Sequence, residues 1–209
     1  DLCDHGGYHV GYEYRKHEKG LQRPDGQPGF RTPTGRIELY STMLEAWGDE
    51  PLHYYEEPPT SPRSTPEYAE EYPMVLSTGA RTWSYFHSEQ RHVPLLREVE
   101  PWPLVDINPK DADRYGLHDG DWVWLENDNG RCKMKLSVQP GQKEGALASQ
   151  HVWWYPERDA SSPSLFDVYE VNVNNLVPYK TIGKLGWGAP FKCLMCKIYK
   201  AEPSADIDR

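Results

Sequence analysis

Staples, membrane spans and basic excess are all scarce in this chain. Four Cys in 209 residues are too few for a disulfide scaffold, and they leave the redox compartment open. No run approaches the roughly 18 consecutive apolar residues of a membrane helix, so direct membrane insertion is not expected. Lys and Arg number 23 against 32 Asp and Glu, a formal net charge of −9, which argues against a nucleic-acid or anionic-membrane binder. Reaction motifs are equally thin. There is no Gly-x-Ser-x-Gly elbow and no His-Glu-x-x-His, and His87 and His92, five apart, suit neither one helix face nor one strand face. The first residues, DLCDHGG, carry neither an initiator Met nor the pattern of a signal peptide, so a piece of a longer protein is expected. The chain reads as one that binds more than it reacts.

What is present is unevenly distributed. Hydrophobic residues make up 37%, or about 45% once the 17 Gly are added, the lower edge of globular usage. Residues 1–72 hold 14 acidic and 7 basic side chains, a net of −7, so most of the net charge of −9 lies in the first third. The Pro-rich stretch 56–66 (EEPPTSPRSTP) has no apolar periodicity and reads as an extended connector, because Pro fixes φ and removes backbone donors. Before it, residues 36–40 (RIELY) alternate as a short strand, and Ser41 is placed to cap a helix that Gly48 ends. The expected organisation is an arm over 1–72 that packs on upstream domains of the same polypeptide, a β-rich domain over 73–200, and a disordered tail over 201–209.

Within the second part the signals are short strands between turns. Residues 74–77 and 104–107 are apolar runs stopped by Gly79 and Pro109, and residues 111–115 read as a short helix with Gly116 as its C-cap. Residues 121–126 and 131–138 around the turn 127–130 form a hairpin by pattern, with further strands over 145–151 and 191–199. Six short strands with one or two helices point to a small closed barrel.

Several clusters are suited to chemistry. Ser77-Thr78-Gly79-Ala80-Arg81 ends a strand with two hydroxyls, a Gly that lets backbone N–H groups approach an anion, and a forked cation; an ordinary turn is the competing reading. The adjacent Phe86-His87-Ser88-Glu89-Gln90-Arg91 is dense in donors. Asp111 caps a helix start, or with Asn108 faces a guanine edge. Three successive aromatics, Trp153-Trp154-Tyr155, cannot all enter one core, because neighbouring strand residues point to opposite faces. The amides of 172–175 build turns or offer hydrogen bonds. Cys193 and Cys196 fall three apart on the expected strand, facing opposite sides, so a shared metal is not expected.

Taken in order, TPTGRIELYS at 32–41, TGAR at 78–81, FHSEQR at 86–91, INPKDA at 107–112, GLHDGD at 116–121, HVWW at 151–154 and the Asn-rich stretch at 172–175 resemble the C-terminal molybdopterin-dinucleotide-binding region of the molybdopterin oxidoreductases, the dimethyl sulfoxide reductase family. The resemblance covers about residues 30–199 and implies a double-psi, aspartate-decarboxylase-like β-barrel after a Pro-rich arm. It implies a grip on bis-molybdopterin guanine dinucleotide carrying molybdenum or tungsten. Thr78, Gly79 and Arg81 match the cofactor loop, and His87, Ser88, Gln90 and Arg91 its continuation. Asn108 and Asp111 match the segment near guanine, His151 and Trp153 the family's His-Gly-Trp-Trp, with Val152 in place of Gly. Asn174 and Asn175 match its Asn-containing loop, and Phe191 and Lys192 the segment returning to the pterin. The family's metal ligand and iron–sulfur cysteines lie in earlier domains, so no catalytic residue is expected here, and electron-transfer subunits are the implied further partners. A competing reading, from eight Trp and an acidic surface, is a carbohydrate-binding module with Trp153 or Trp154 as an exposed platform.

Overall fold

A computed structural model describes residues 11–180 and 188–202. The expected tail, apart from its first two residues, lies outside them. The chain divides into two compact units, residues 1–56 and 57–209, so the connector and the helix that follows it belong to the barrel's unit.

In the first unit Ser41 caps α1 (Thr42–Ala46), its side chain accepting from the Leu44 amide at 3.2 Å. The strand expected over 36–40 does not form. Glu38 reaches backward and forward instead, accepting from the amide and hydroxyl of Thr34 at 3.0 and 2.8 Å and from those of Thr42 at 3.2 and 2.9 Å. Ile37 and Leu39, which the alternation suggested as one buried face, are 69% and 84% exposed. An alternating stretch needs a partner strand, and side-chain capping has taken the backbone into turns instead.

The second unit is built on six strands: β1 (Met74–Ala80), β2 (Leu104–Ile107), β3 (Trp122–Asn127), β4 (Gly130–Val138), β5 (Ala146–Gln150) and β6 (Leu194–Lys200). They close into a barrel in the order β1-β5-β2-β4-β3-β6. Pairs β1/β5 and β2/β4 are parallel and the remaining pairs antiparallel, so the expected double-psi barrel stands. The hairpin β3/β4 pairs Asn127 with Gly130 and turns through two residues, tighter than the four expected. Asn127 explains the tightness: its side chain accepts from the Asn129 amide at 3.0 Å and donates to the carbonyls of Leu176 and Met195 at 3.0 and 3.2 Å.

Short helices decorate the strands: α2 (Pro66–Glu71), α3 (Pro94–Val99), α4 (Pro109–Tyr115), α5 (Val168–Val171) and a 3-10 turn over Val173–Leu176. Among the described residues, three of the five α-helices begin with Pro, which is preorganised for a first turn and whose missing N–H costs nothing there. Gly116, at φ +64, ends α4 in the left-handed conformation that its lack of Cβ favours. Inward residues of alternate strand positions, including Leu76, Val105, Val123, Met134 and Leu147, fill the core. Burying each such side chain contributes about 1.5–3 kcal/mol. A second cluster joins Tyr85, Trp153, Tyr155 and Val171.

β6 begins three residues later than its pattern suggested, so Cys193 precedes it and its thiol contacts the Thr60 carbonyl at 3.4 Å, while Cys196 is buried in the barrel. The opposite-face reading therefore does not apply: only Cys196 lies on the strand. No group of three or more metal-capable side chains occurs among the described residues, and none of their helices is long and apolar enough to cross a membrane.

Candidate functional site at one end of the barrel

Strand direction decides which predicted residues can meet. β1 and β5 run parallel and finish at the same barrel end, where antiparallel β6 begins. Three segments distant in sequence converge there. Thr78 donates from its amide and hydroxyl to the Phe191 carbonyl at 2.9 and 3.2 Å, and Lys192 Nζ donates to the Thr78 carbonyl at 2.6 Å. Between them β1 shifts register at Thr78–Ala80, and Gly79 takes φ +95. A Cβ on Gly79 would stand 3.0 Å from Lys192 Nζ and 3.1 Å from His151 Cε1. Only Gly allows the backbone and these two side chains this close.

The loop after β1 forms the second wall. His87 and Gln90 adopt φ +51 and +70, an uncommon conformation for residues with a Cβ. The His87 ring lies 4.8 Å from that of His151, tilted by 37°. Arg81, exposed, shares with Thr82, Tyr85, His87, Arg91, Gln150 and His151 the lining of a small cavity of about 10 Å³, room for about one water molecule. Thr82 Oγ1, Gln150 Oε1, Arg91 Nε and His151 Nε2 are buried without a protein partner. Burial lowers the His151 pKa, and the neighbouring His87, Arg81, Lys192 and Arg91 lower it further. The site is a concentration of donors and positively charged side chains.

Other predicted residues go elsewhere. β2 runs antiparallel to β5, so its C-terminal end, carrying Asn108 and Asp111, lies at the opposite end of the barrel. Five residues of β5 separate the two ends by about 16 Å. Asn108 caps α4 by accepting from the Lys110 amide at 2.9 Å and donates to the Gln142 carbonyl at 2.6 Å. Asp111 is fully buried; its carboxylate accepts from the Gly145 amide at 2.6 Å and from Arg114 at 3.0 Å. Neither joins the Thr78–Arg81 loop, because capping and β5 positioning occupy both. Asn175 donates to the Tyr169 carbonyl at 2.9 Å and sits against Gly130, and Asn174 is exposed with its amide bonded to Asn172 at 2.9 Å.

The aromatic triplet divides as its alternation requires. Trp153 and Tyr155 are fully buried, and Trp154 is half-buried with its indole N–H donating to the Ser88 carbonyl at 2.7 Å. The stacking platform that carbohydrate recognition asks of Trp153 or Trp154 is therefore occupied by the protein itself. Sequence reasoning missed Thr82 and Gln150. Their signal was position alone, next to Arg81 and His151 on converging strand ends.

A closed six-stranded barrel that gathers Arg81, Lys192 and two imidazoles at one end can offer donors to an anion. The family model for the molybdopterin dinucleotide binding domain matches residues 74–192, more than half of the chain, and the chain belongs to that family. It is 39% identical over 184 residues to a dopamine dehydroxylase of Eggerthella lenta, covering 86% of this chain and 18% of that protein. It is 38% identical over 159 residues to an acetylene hydratase of Syntrophotalea acetylenica, covering 76% and 22%. Among solved structures, acetylene hydratase from Pelobacter acetylenicus superposes with a TM-score of 0.76 at 33% identity, covering 86% of this chain and 25% of that one. The chain thus spans about a fifth of the length of these relatives, and holds the molybdopterin dinucleotide-binding domain of the dimethyl sulfoxide reductase-family oxidoreductases.

Proposed function

We propose that the barrel end built by Thr78, Gly79, Arg81, His87, His151 and Lys192 receives the pyrophosphate and adjoining pterin of molybdopterin guanine dinucleotide, with Ser88 and Gln90 at its rim and Phe191 supporting Lys192. The observation that carries this reading is the close approach at Gly79, where a missing Cβ lets the backbone, a lysine ammonium and an imidazole gather at one strand end. The residues suit the group: an anion brings an acceptor to a ring nitrogen that the protein leaves unpartnered, His151 Nε2. Each charge-assisted bond contributes about 1.5–3 kcal/mol. Arg81 and Lys192 differ in kind, a planar fork for two oxygens and a compact point charge.

When bound, the group supplies metal-centred redox chemistry at molybdenum or tungsten. The chain's own residues hold, orient and screen it. The bis form of the cofactor, the iron–sulfur cluster and the metal ligand belong in this reading to domains upstream in the same polypeptide, with electron-transfer subunits as further partners and no turnover by the 209 residues alone. Exposed Ile37, Leu39, Trp47 and Tyr55 support the same view of the first unit, as an arm that packs on those domains.

The test is titration of guanosine diphosphate and an oligosaccharide panel into the chain, followed by heat and amide shifts. Weak, salt-sensitive nucleotide binding that Arg81→Ala reduces is expected, with shifts concentrated at 78–81, 87–90, 151 and 192. Sugar binding with no nucleotide response would overturn the reading.

A further inference from the structure

Arg91 is a buried cation on which one carboxylate, Glu100, acts from beyond ion-pair distance. It is 2% exposed, and among the described residues no acid forms an ion pair with it. Its guanidinium lies between two rings, 3.9 Å from the centre of Tyr85 and 4.4 Å from that of Trp153. The remaining contacts are carbonyls: Nη1 donates to Glu89 at 3.2 Å, and Nη2 donates to His87 at 2.9 Å and to Val152 at 3.1 Å. Burial pulls its pKa down to about 10, which still leaves it charged at neutral pH. A buried charge is costly, and here cation–π contacts and carbonyl dipoles compensate it.

The carbonyls it joins are the informative part. His87 and Val152 are 65 residues apart in sequence, and one nitrogen of Arg91 binds both. Val152 follows His151 directly, so this nitrogen ties together the two backbone segments that carry the paired imidazoles. Trp154 makes a second tie between the same segments through the Ser88 carbonyl, and Tyr85 packs edge-on against Trp153 at 5.5 Å. The loop held this way contains the two positive-φ residues, His87 and Gln90, whose backbone conformation needs external support.

We propose that Arg91 is a positioning residue, a forked strut that fixes the His87 turn against the His151–Val152 segment, while the incoming phosphates meet His87, His151, Arg81 and Lys192 instead of Arg91. This rests on the reading of the barrel end as a cofactor cradle, and it differs from the sequence expectation that Arg91 itself touches the cofactor. A lysine there keeps the charge but cannot bond the three carbonyls from one planar group.

The experiment compares the whole 209-residue chain with Arg91→Lys, Arg91→Ala and Trp154→Phe. Imidazole carbon–proton spectra are recorded against pH, without ligand and with guanosine diphosphate or inorganic pyrophosphate. In the free chain, Arg91→Lys is expected to move the His87 and His151 ring resonances together. Trp154→Phe, which leaves Arg91 intact, is expected to move the same pair by a smaller amount. The charged groups facing His151 are His87, Arg81, Lys192 and Arg91. Its titration midpoint therefore rises in Arg91→Ala and stays depressed in Arg91→Lys. Guanosine diphosphate affinity falls about tenfold or more in Arg91→Lys despite the retained charge. Unchanged free-chain imidazole spectra in Arg91→Lys would overturn the strut. So would affinity kept by Arg91→Lys and lost only in Arg91→Ala, the pattern of a direct charge contact. If Arg91→Ala does not fold, the other two variants decide the matter. If the unaltered chain binds neither probe, the cradle reading fails, and the free-chain spectra still judge the strut.

Discussion

The Cβ that Gly79 lacks would stand 3.0 Å from the ammonium of Lys192, a residue 113 positions further along the chain. At φ +95 an alanine is also strained by its own backbone. Gly79→Ala is expected to cost about 1–3 kcal/mol of stability and to displace Lys192 and His151, abolishing measurable nucleotide binding. Chemical denaturation beside calorimetric titration checks both. An alanine variant that binds as the parent does would show that Gly79 is not where the ligand enters.

His151 provides a prediction in pH. Its pKa is lowered by burial first and by surrounding positive charge second. The unfolded chain, with an ordinary imidazole near pH 6.5, therefore takes up a proton before the folded chain does. The stabilising contribution is present above that pH and is lost as pH falls from there through the depressed folded value. Thermal midpoints should decline across this window less steeply in His151→Gln than in the parent. Pyrophosphate should raise the His151 midpoint measured by imidazole NMR, because an anion favours the charged ring.

Asp111 should behave as a structural acid. Asp111→Ala leaves the Gly145 amide without its acceptor and is expected to cost about 1.5–3 kcal/mol, visible as a lower thermal midpoint. Guanosine diphosphate affinity should change by less than about twofold once measured where the variant is folded, since Asp111 lies at the far barrel end. A large affinity loss at full folding would instead mark it as a guanine contact.

Thiol reactivity tests the core. Burial pushes the Cys196 thiol up to about 12 and raises that of the fully buried Cys132. Alkylation of the native chain followed by peptide mapping should leave both unmodified until denaturant is added. Rapid native labelling of Cys196 would contradict its place inside the barrel.

Much of the barrel was legible because its strands announce themselves locally. The hairpin around residues 127–130 and the helix closed by Gly116 follow from turn and capping chemistry that neighbouring residues settle among themselves. Residues 36–40 misled for the same reason: their alternation is a request for a partner strand, and Glu38 meets the needs of Thr34 and Thr42 before any strand can form. At the proposed site, Thr78, Gly79, His151 and Lys192 were singled out by motif, and their convergence required the strand order. Asp111 shows the converse. A motif matched it to the segment near guanine, and the antiparallel pairing of β2 with β5 sets it at the barrel end away from Thr78. No residue pattern within 107–112 encodes that direction.

The hydrogen bonds between Thr78 and Phe191, and between Lys192 and Thr78, link positions 113 and 114 residues apart. During synthesis β1 emerges long before the segments that complete the cradle, and non-local pairing of this kind is slow. Half of the proposed cofactor site therefore cannot be assembled ahead of time. The donors come together only when β6 has paired with β1 and the barrel has closed. On the proposed reading, a cofactor that requires this cradle is a sensor of finished folding: chains still awaiting β6 present it with a lone strand end, and only completed ones present a site.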